Sequence, residues 1–245
     1  MATLSQNKKN LMEYKLSFIK SILLLISLVA ICWFYQNIFN VIDAEYFLLL
    51  NKNLLNNRFS QYFWGLLSHK NESWINVIVM LGINILSILM MHQSIANNKN
   101  FNNTKKRVWL VVYCWISFQV VLLLNIVIFN KILHMHRDSP SIIFAQSIRL
   151  SDRLNNINIK DYSNNSFPAG HALVLMYWLL FVNVYASKAI KIISLLIGLL
   201  LILSRMITGA HWLSDTVFSL LLGWVYFNLS MWFANSYEQI KNRLY

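Results

Sequence analysis

Residues 21–39, 74–91, 108–130, 171–187, 192–210 and 212–234 form six nearly uncharged apolar stretches. Each is close to the ~20 residues that a helix needs to cross a lipid bilayer. Runs of this length are too long for strands, and the 2 Pro and 6 Gly of the 245 residues leave little for a turn-rich β architecture. Only 12% of the chain is charged, against about 25% in an ordinary soluble domain, and the mean hydropathy is +0.49. These values exclude disordered and collagen-like chains as well. The expected fold is all-α: a polytopic membrane protein with six transmembrane helices, built as one integral-membrane domain over residues 1–245 with short terminal tails. Lys8, Lys9, Lys15 and Lys20 precede the first stretch, as they would in a signal peptide. The uncharged run is long and no small-residue cleavage pattern follows, so it reads as a retained anchor.

The net charge of +12 would suggest nucleic acid in a soluble chain; in a membrane chain it reports orientation instead. Twelve basic residues, among them Lys99, Lys105, Lys106, Arg107, Lys188, Lys191, Lys241 and Arg243, fall with only Glu13 and Glu238 on one side of the predicted membrane. That side is assigned to the cytoplasm, and with it both termini. Segments 40–73 and 131–170 and the turn around Gly209 then lie outside the cell membrane. Segment 40–73 carries apolar clusters that suit a short helix along the interface. Cys32 and Cys114 sit in apolar runs without a CxxC or histidine partner and read as buried small hydrophobes.

Three clusters of polar residues converge on that outer side, where ionisable groups near the membrane are costly to keep. Ser204-Arg205 and His211 to Asp215 span the fifth and sixth helices. The four-residue spacing of His211 and Asp215 predicts one shared helix face, with the carboxylate on one ring nitrogen and the other nitrogen free for attack on an electrophile. Arg205 would offer a planar fork of donors to phosphate oxygens. Ser166-Phe-Pro168-Ala-Gly170-His171 opens the fourth helix, where backbone amides favour an anion and His171 stands beside it as a candidate general acid. Lys131 to Pro140, with His134, His136 and Arg137, could complete a cationic cradle. Each cluster also has a plain reading as polar or snorkelling interface residues. It is their common sidedness and complementary roles that point to catalysis.

These motifs resemble the three signatures of the type 2 phosphatidic acid phosphatase superfamily. Arg205 to Asp215 reads as S-R-x5-H-x3-D, residues 166–171 as a variant of P-S-G-H, and Lys131 to Pro140 as a degraded K-x6-R-P. The resemblance implies a six-helix core and metal-independent, two-step phosphoryl transfer, with neither metal nor cofactor. His211 would form a phosphohistidine, Asp215 would orient it, and His171 would protonate the leaving oxygen. Arg137, Arg205, Lys131 and the Gly170 amide would hold the phosphate. Two departures stand out: Ala169 replaces the signature serine, and Lys131 lies one position too close to Arg137. His136 is the alternative to Lys131. Asp43, Glu45, Asn51, the 137–140 run, the approach to His171 and residues 205–212 further resemble the lipid A 1-diphosphate synthases. Such a likeness implies undecaprenyl pyrophosphate and lipid A as substrates. Transferases of that group carry an acidic residue where this chain has Gly170, which keeps open simple hydrolysis of phosphatidic acid, phosphatidylglycerol phosphate or lipid A 1-phosphate.

A non-catalytic lipid flippase or carrier is the rival from another class; it would call for helices broken near mid-membrane. His134 and His136 have no third ligand at metal spacing. His69 and His92 read as structural, Asp43 and Glu45 either as solvated acids or as partners of a surface arginine that shape the mouth of the site, and Trp64, Trp74, Trp212 and Trp232 as interface anchors. The oligomeric state is left open by the sequence.

Overall fold

The computed structural model describes residues 18–27, 36–54, 57–70, 122–185 and 188–244, with single positions at 30, 82, 85, 113, 116, 117, 119 and 120. Among the described residues, α-helices run in chain order as α1 (Phe18–Ser27), α2 (Gln36–Lys52), α3 (Arg58–Leu67), α4 (Pro140–Ile143), α5 (Gly170–Tyr185), α6 (Lys188–Ile207) and α7 (Leu213–Leu244). Between α3 and α4, the helix ending the third predicted span closes in a π-helical turn, Ile126–Ile132. No strand occurs among the described residues; one antiparallel bridge joins His69 to Ile159.

Among the described residues, two helices, α6 and residues Leu213–Phe233 of α7, are long and apolar enough to cross a membrane; their mean hydropathies are 2.3 and 1.4. At 1.5 Å per residue, the 20 residues of α6 span about 30 Å, the thickness of a hydrocarbon core. Shorter apolar helices, Phe18–Ser27 and Gly170–Asn183, fall in the first and fourth predicted stretches. The second stretch and much of the third lie outside the described residues. Within segment 40–73, where a short helix was expected, stands α3. Asn57 caps it by accepting from the Ser60 amide (3.2 Å), Gln61 and Gly65 face inward, and Phe59, Tyr62 and Leu66 are exposed.

α5 packs along α7 and also contacts α6. The α5–α7 approach depends on Gly223, where a Cβ would meet the Leu173 carbonyl oxygen at 2.7 Å. Beneath the start of α5, the rings of Phe129, Phe167 and Phe218 form a mutual cluster with centroids 4.7–5.9 Å apart. They seat the segment leading into α5 on α7, burying large apolar area at a site where polar groups converge. Near the end of α2, buried Asn51 ties that helix to the loop at Ile148 and to the end of α6. Its amide nitrogen donates to the carbonyls of Ile148 and Ile207, and its oxygen accepts from the Ile148 amide.

The α6–α7 connection explains where His211 stands. α6 ends in a Schellman motif: the Ala210 amide donates to the Arg205 carbonyl (2.9 Å) and the Gly209 amide to that of Met206 (3.2 Å). Gly209 takes φ +89°, and a Cβ there would meet Ser141 Cβ at 2.9 Å. Glycine is thus required twice, by conformation and by space. Gly209→Ala should cost roughly 1–3 kcal/mol of stability from the backbone conformation alone. The expected result is a lower Tm in detergent with a parallel loss of any activity that needs His211 in register.

Candidate active site

His211 lies in the turn before α7, so it does not share a helix face with Asp215. The direct bond that the four-residue spacing predicts between the two is not formed. The ring Nδ1 lies 2.7 Å from the backbone carbonyl of Ser166. A carbonyl can only accept, so Nδ1 carries the proton and the lone pair of the neutral imidazole is on Nε2. Burial, followed by the Arg205 charge, pushes the His211 pKa down to about 3. The ring is therefore neutral, with Nε2 unprotonated, through the mildly acid and neutral range.

Asp215 acts at one remove. As the third residue of α7 it accepts from the Trp212 amide (3.2 Å), the reciprocal half of a capping box. Its Oδ2 also lies 2.7 Å from the Ser166 hydroxyl, and its Oδ1 accepts from Arg137 Nη1 at 2.8 Å. Ser166 donates its amide to the Arg137 carbonyl (2.7 Å) as well. Ser166 is thus held by Asp215 on its side chain and by Arg137 on its backbone, while its carbonyl holds His211.

His171 opens α5, and its ring meets that of His211 edge to face, with centroids 4.5 Å apart. Its Nε2 is buried and has no hydrogen-bond partner among the described residues. A Cβ added at the neighbouring Gly170 would meet nothing within 4 Å, so the approach to His171 is open on that side.

Arg205, 2% exposed in the last turn of α6, donates from Nη2 to the His69 carbonyl (2.9 Å) and from Nη1 to that of Lys160 (3.3 Å). Its charge reaches both histidines. Arg137 is arranged differently from the expected phosphate fork. Its Nη2 pairs with Asp43 (2.7 Å), its Nη1 with Asp215 and the Ser214 hydroxyl (2.8 and 2.7 Å), and its guanidinium lies 4.6 Å over the Trp212 ring. It bridges two buried carboxylates. Lys131 is exposed on the π-helical turn and makes no hydrogen bond or ion pair with a described residue. His136 is exposed too.

Three participants, Trp212, Ser166 and Lys160, escape the sequence reading; for Asp43 the sequence leaves open a pairing with an arginine, which the structure shows with Arg137. Asp43 is buried, not solvated; it accepts from the Ser214 amide (2.9 Å) and hydroxyl (2.5 Å) and so caps α7 from another helix. Trp212 is buried against Phe47 and Phe144 and donates Nε1–H to the Asp138 carbonyl (2.8 Å), which makes it a core residue in place of the expected anchor. Ser166 and Lys160 carried no assigned role. A carboxyl lodged in a largely apolar helix could have marked Asp43.

The match of residues 107–238 to the model of the PAP2 superfamily covers more than half of the chain and takes in every residue of this cluster from Arg137 onward. The chain belongs to the PAP2 superfamily. It is 26% identical over 180 residues to lipid A 1-diphosphate synthase of Escherichia coli, covering 72% of this chain and 69% of that one. In fold it resembles a crystal structure of a transmembrane PAP2-type phosphatidylglycerolphosphate phosphatase from Bacillus subtilis. The TM-score is 0.58 at 20% identity, over 90% of this chain and 96% of the other. As a PAP2 protein the chain is a membrane enzyme of the lipid phosphatase class.

Two outcomes follow from the contacts. Ser166→Ala keeps the carbonyl under His211 but removes a bond to the buried Asp215. It should lower kcat by roughly tenfold, the effect of about 1.4 kcal/mol, with KM little changed and Ser166→Thr restoring most of the rate. Arg137→Met leaves two buried carboxylates uncompensated and should cost about 3–5 kcal/mol. Thermal unfolding would show that loss, and Asp43→Asn in the same chain should return part of it.

Proposed function

We propose that this PAP2 enzyme takes a phosphoryl group from undecaprenyl pyrophosphate or lipid A at the periplasmic face of a bacterial inner membrane, through a phosphohistidine at His211. The observation that carries the reading is the Nδ1–H bond to Ser166, which leaves Nε2 as the unprotonated, aimed nitrogen of a buried imidazole. In the first step Nε2 bonds to phosphorus while the bond from phosphorus to the leaving oxygen breaks. Protonated Nε2 of His171, one ring away, hands its proton to that oxygen. In the second step water, or a lipid hydroxyl or phosphate, attacks phosphorus, yields its proton to His171 and displaces His211. Asp215 positions the nucleophile through Ser166, and Arg205 with the Gly170 amide faces the transferred group. No step calls for a metal ion.

The skew of basic residues supports cytoplasmic termini and an outward-facing site, and the superfamily's six-helix core supports six spans, three of which contribute α5, α6 and α7. Likeness to the E. coli synthase supports lipid A and undecaprenyl pyrophosphate as substrates. A second reading, plain hydrolysis of a lipid phosphomonoester such as phosphatidic acid or phosphatidylglycerol phosphate, is favoured by Gly170. No carboxylate stands beside His171 in the sequence, and the side facing Gly170 is open.

With undecaprenyl pyrophosphate carrying a labelled distal phosphate, the wild-type protein in EDTA should release label to water or to added lipid A. His211→Ala should lower that rate by about a thousandfold or more. Undiminished release from His211→Ala would remove the mechanism, and the destination of the label separates hydrolase from transferase.

A further inference from the structure

Lys160 lies in the connection before α5 and belongs to none of the three sequence signatures. Its backbone is latched from several sides. The Lys160 amide donates to the Ser68 carbonyl (2.7 Å), its carbonyl accepts from the Ser68 hydroxyl (2.7 Å) and from Arg205 Nη1 (3.3 Å), and the adjacent Lys70 amide donates to Asn158 (2.7 Å). Next in sequence, buried Asp161 accepts from the Ser151 amide at 2.8 Å, which anchors the far side of the segment. A residue with no signature is thereby pinned against Arg205, 45 positions away.

Charge supplies the second line of argument. Apart from the rings themselves, the charged groups that act on His211 and His171 are the same two cations, Arg205 and Lys160. Two positive charges beside two buried imidazoles form a site suited to an anion carrying two negative charges. Arg137 instead bridges Asp43 and Asp215, and Lys131 is exposed on the π-helical turn.

We propose that Lys160 is a substrate-binding residue, its ammonium donating with Arg205 to the non-bridging oxygens of the transferred phosphate, in the part that the first signature assigns to a lysine near the third helix. The assignment rests on the phosphoryl-transfer reading above and deepens it. The site would then draw its second cation from the periplasmic connection, through the 69–159 bridge, and the one-residue shortening between Lys131 and Arg137 would carry no penalty.

The full chain in detergent tests this with orthovanadate, a probe that mimics the pentacoordinate phosphate. In thermal unfolding, vanadate should stabilise the wild-type protein and Lys160→Arg but not Lys160→Met or Lys160→Gln. In label release, the two neutral variants should raise KM and weaken vanadate inhibition by about tenfold or more, with a smaller effect on kcat. Lys160→Arg should stay within about threefold of wild type on both. His211→Ala is run beside them. If it retains activity, the phosphohistidine reading falls. If it is inactive while Lys160→Met matches wild type in KM and vanadate response, the Lys160 assignment alone falls. A loss shared equally by Lys160→Arg, or one found at Lys131→Met and absent at Lys160→Met, would also overturn it.

Discussion

A buried carboxylate is costly unless every lone pair is met, and Asp215 meets that condition by drawing four segments together. Its contacts are the Trp212 amide at the head of α7, the Ser166 hydroxyl in the approach to α5, and the Arg137 guanidinium beyond the third predicted helix. Through Arg137 it also engages Asp43 on α2. One positive charge thus lies between two buried negative ones, and both carboxylates also accept from the first turn of α7 or its cap. The positive end of the α7 dipole lies under both acids and offsets the remaining negative charge. Removing any member would strand a charge in apolar surroundings, so the network specifies one arrangement of loops that otherwise have little regular structure.

That arrangement separates two tasks that a direct histidine–carboxylate pair combines. A carboxylate in contact with the ring would raise its proton affinity. A backbone carbonyl fixes the same tautomer with no full charge, and burial and Arg205 then keep the imidazole neutral. The carboxylate is left to hold the carbonyl in position by gripping the side chain of the same residue, Ser166. Negative charge is kept on the Arg137 side of the cluster and positive charge on the Arg205 side, with the two imidazoles facing the latter.

Much of this site was legible in the sequence, for identifiable reasons. His171, Arg205, His211 and Asp215 stand out because ionisable groups beside long apolar runs are expensive and few, and because their spacing matches a known signature. What the spacing could not tell was that α6 ends in a Schellman turn at Gly209, placing His211 outside the helix that Asp215 begins. The periodicity argument assumed four residues of helix where the chain has a cap. The particular partner of Asp43, and any role for Lys160, were not legible for another reason. Asp43 meets Arg137 across 94 positions, and Lys160 meets Arg205 across 45, contacts set by tertiary approach that no local pattern encodes. Trp212 was misread because an indole near a membrane boundary serves equally as an interface anchor and as core, and its partners Phe47 and Phe144 come from distant segments.

The same geometry bears on how the superfamily's chemistry tolerates erosion of one signature. Arg137 keeps the position of the signature arginine, yet its guanidinium is engaged by Asp43 and Asp215, and so its contribution runs through the alignment of Ser166. Once that arginine is structural, its spacing from an upstream lysine no longer matters, because the two need not grip one phosphate. In the proposed assignment the second cation comes from the segment the fold holds against Arg205, where the 69–159 bridge keeps the Lys160 backbone. A signature can therefore lose its spacing without loss of the site when the charge it supplied is provided by a segment latched from the other side.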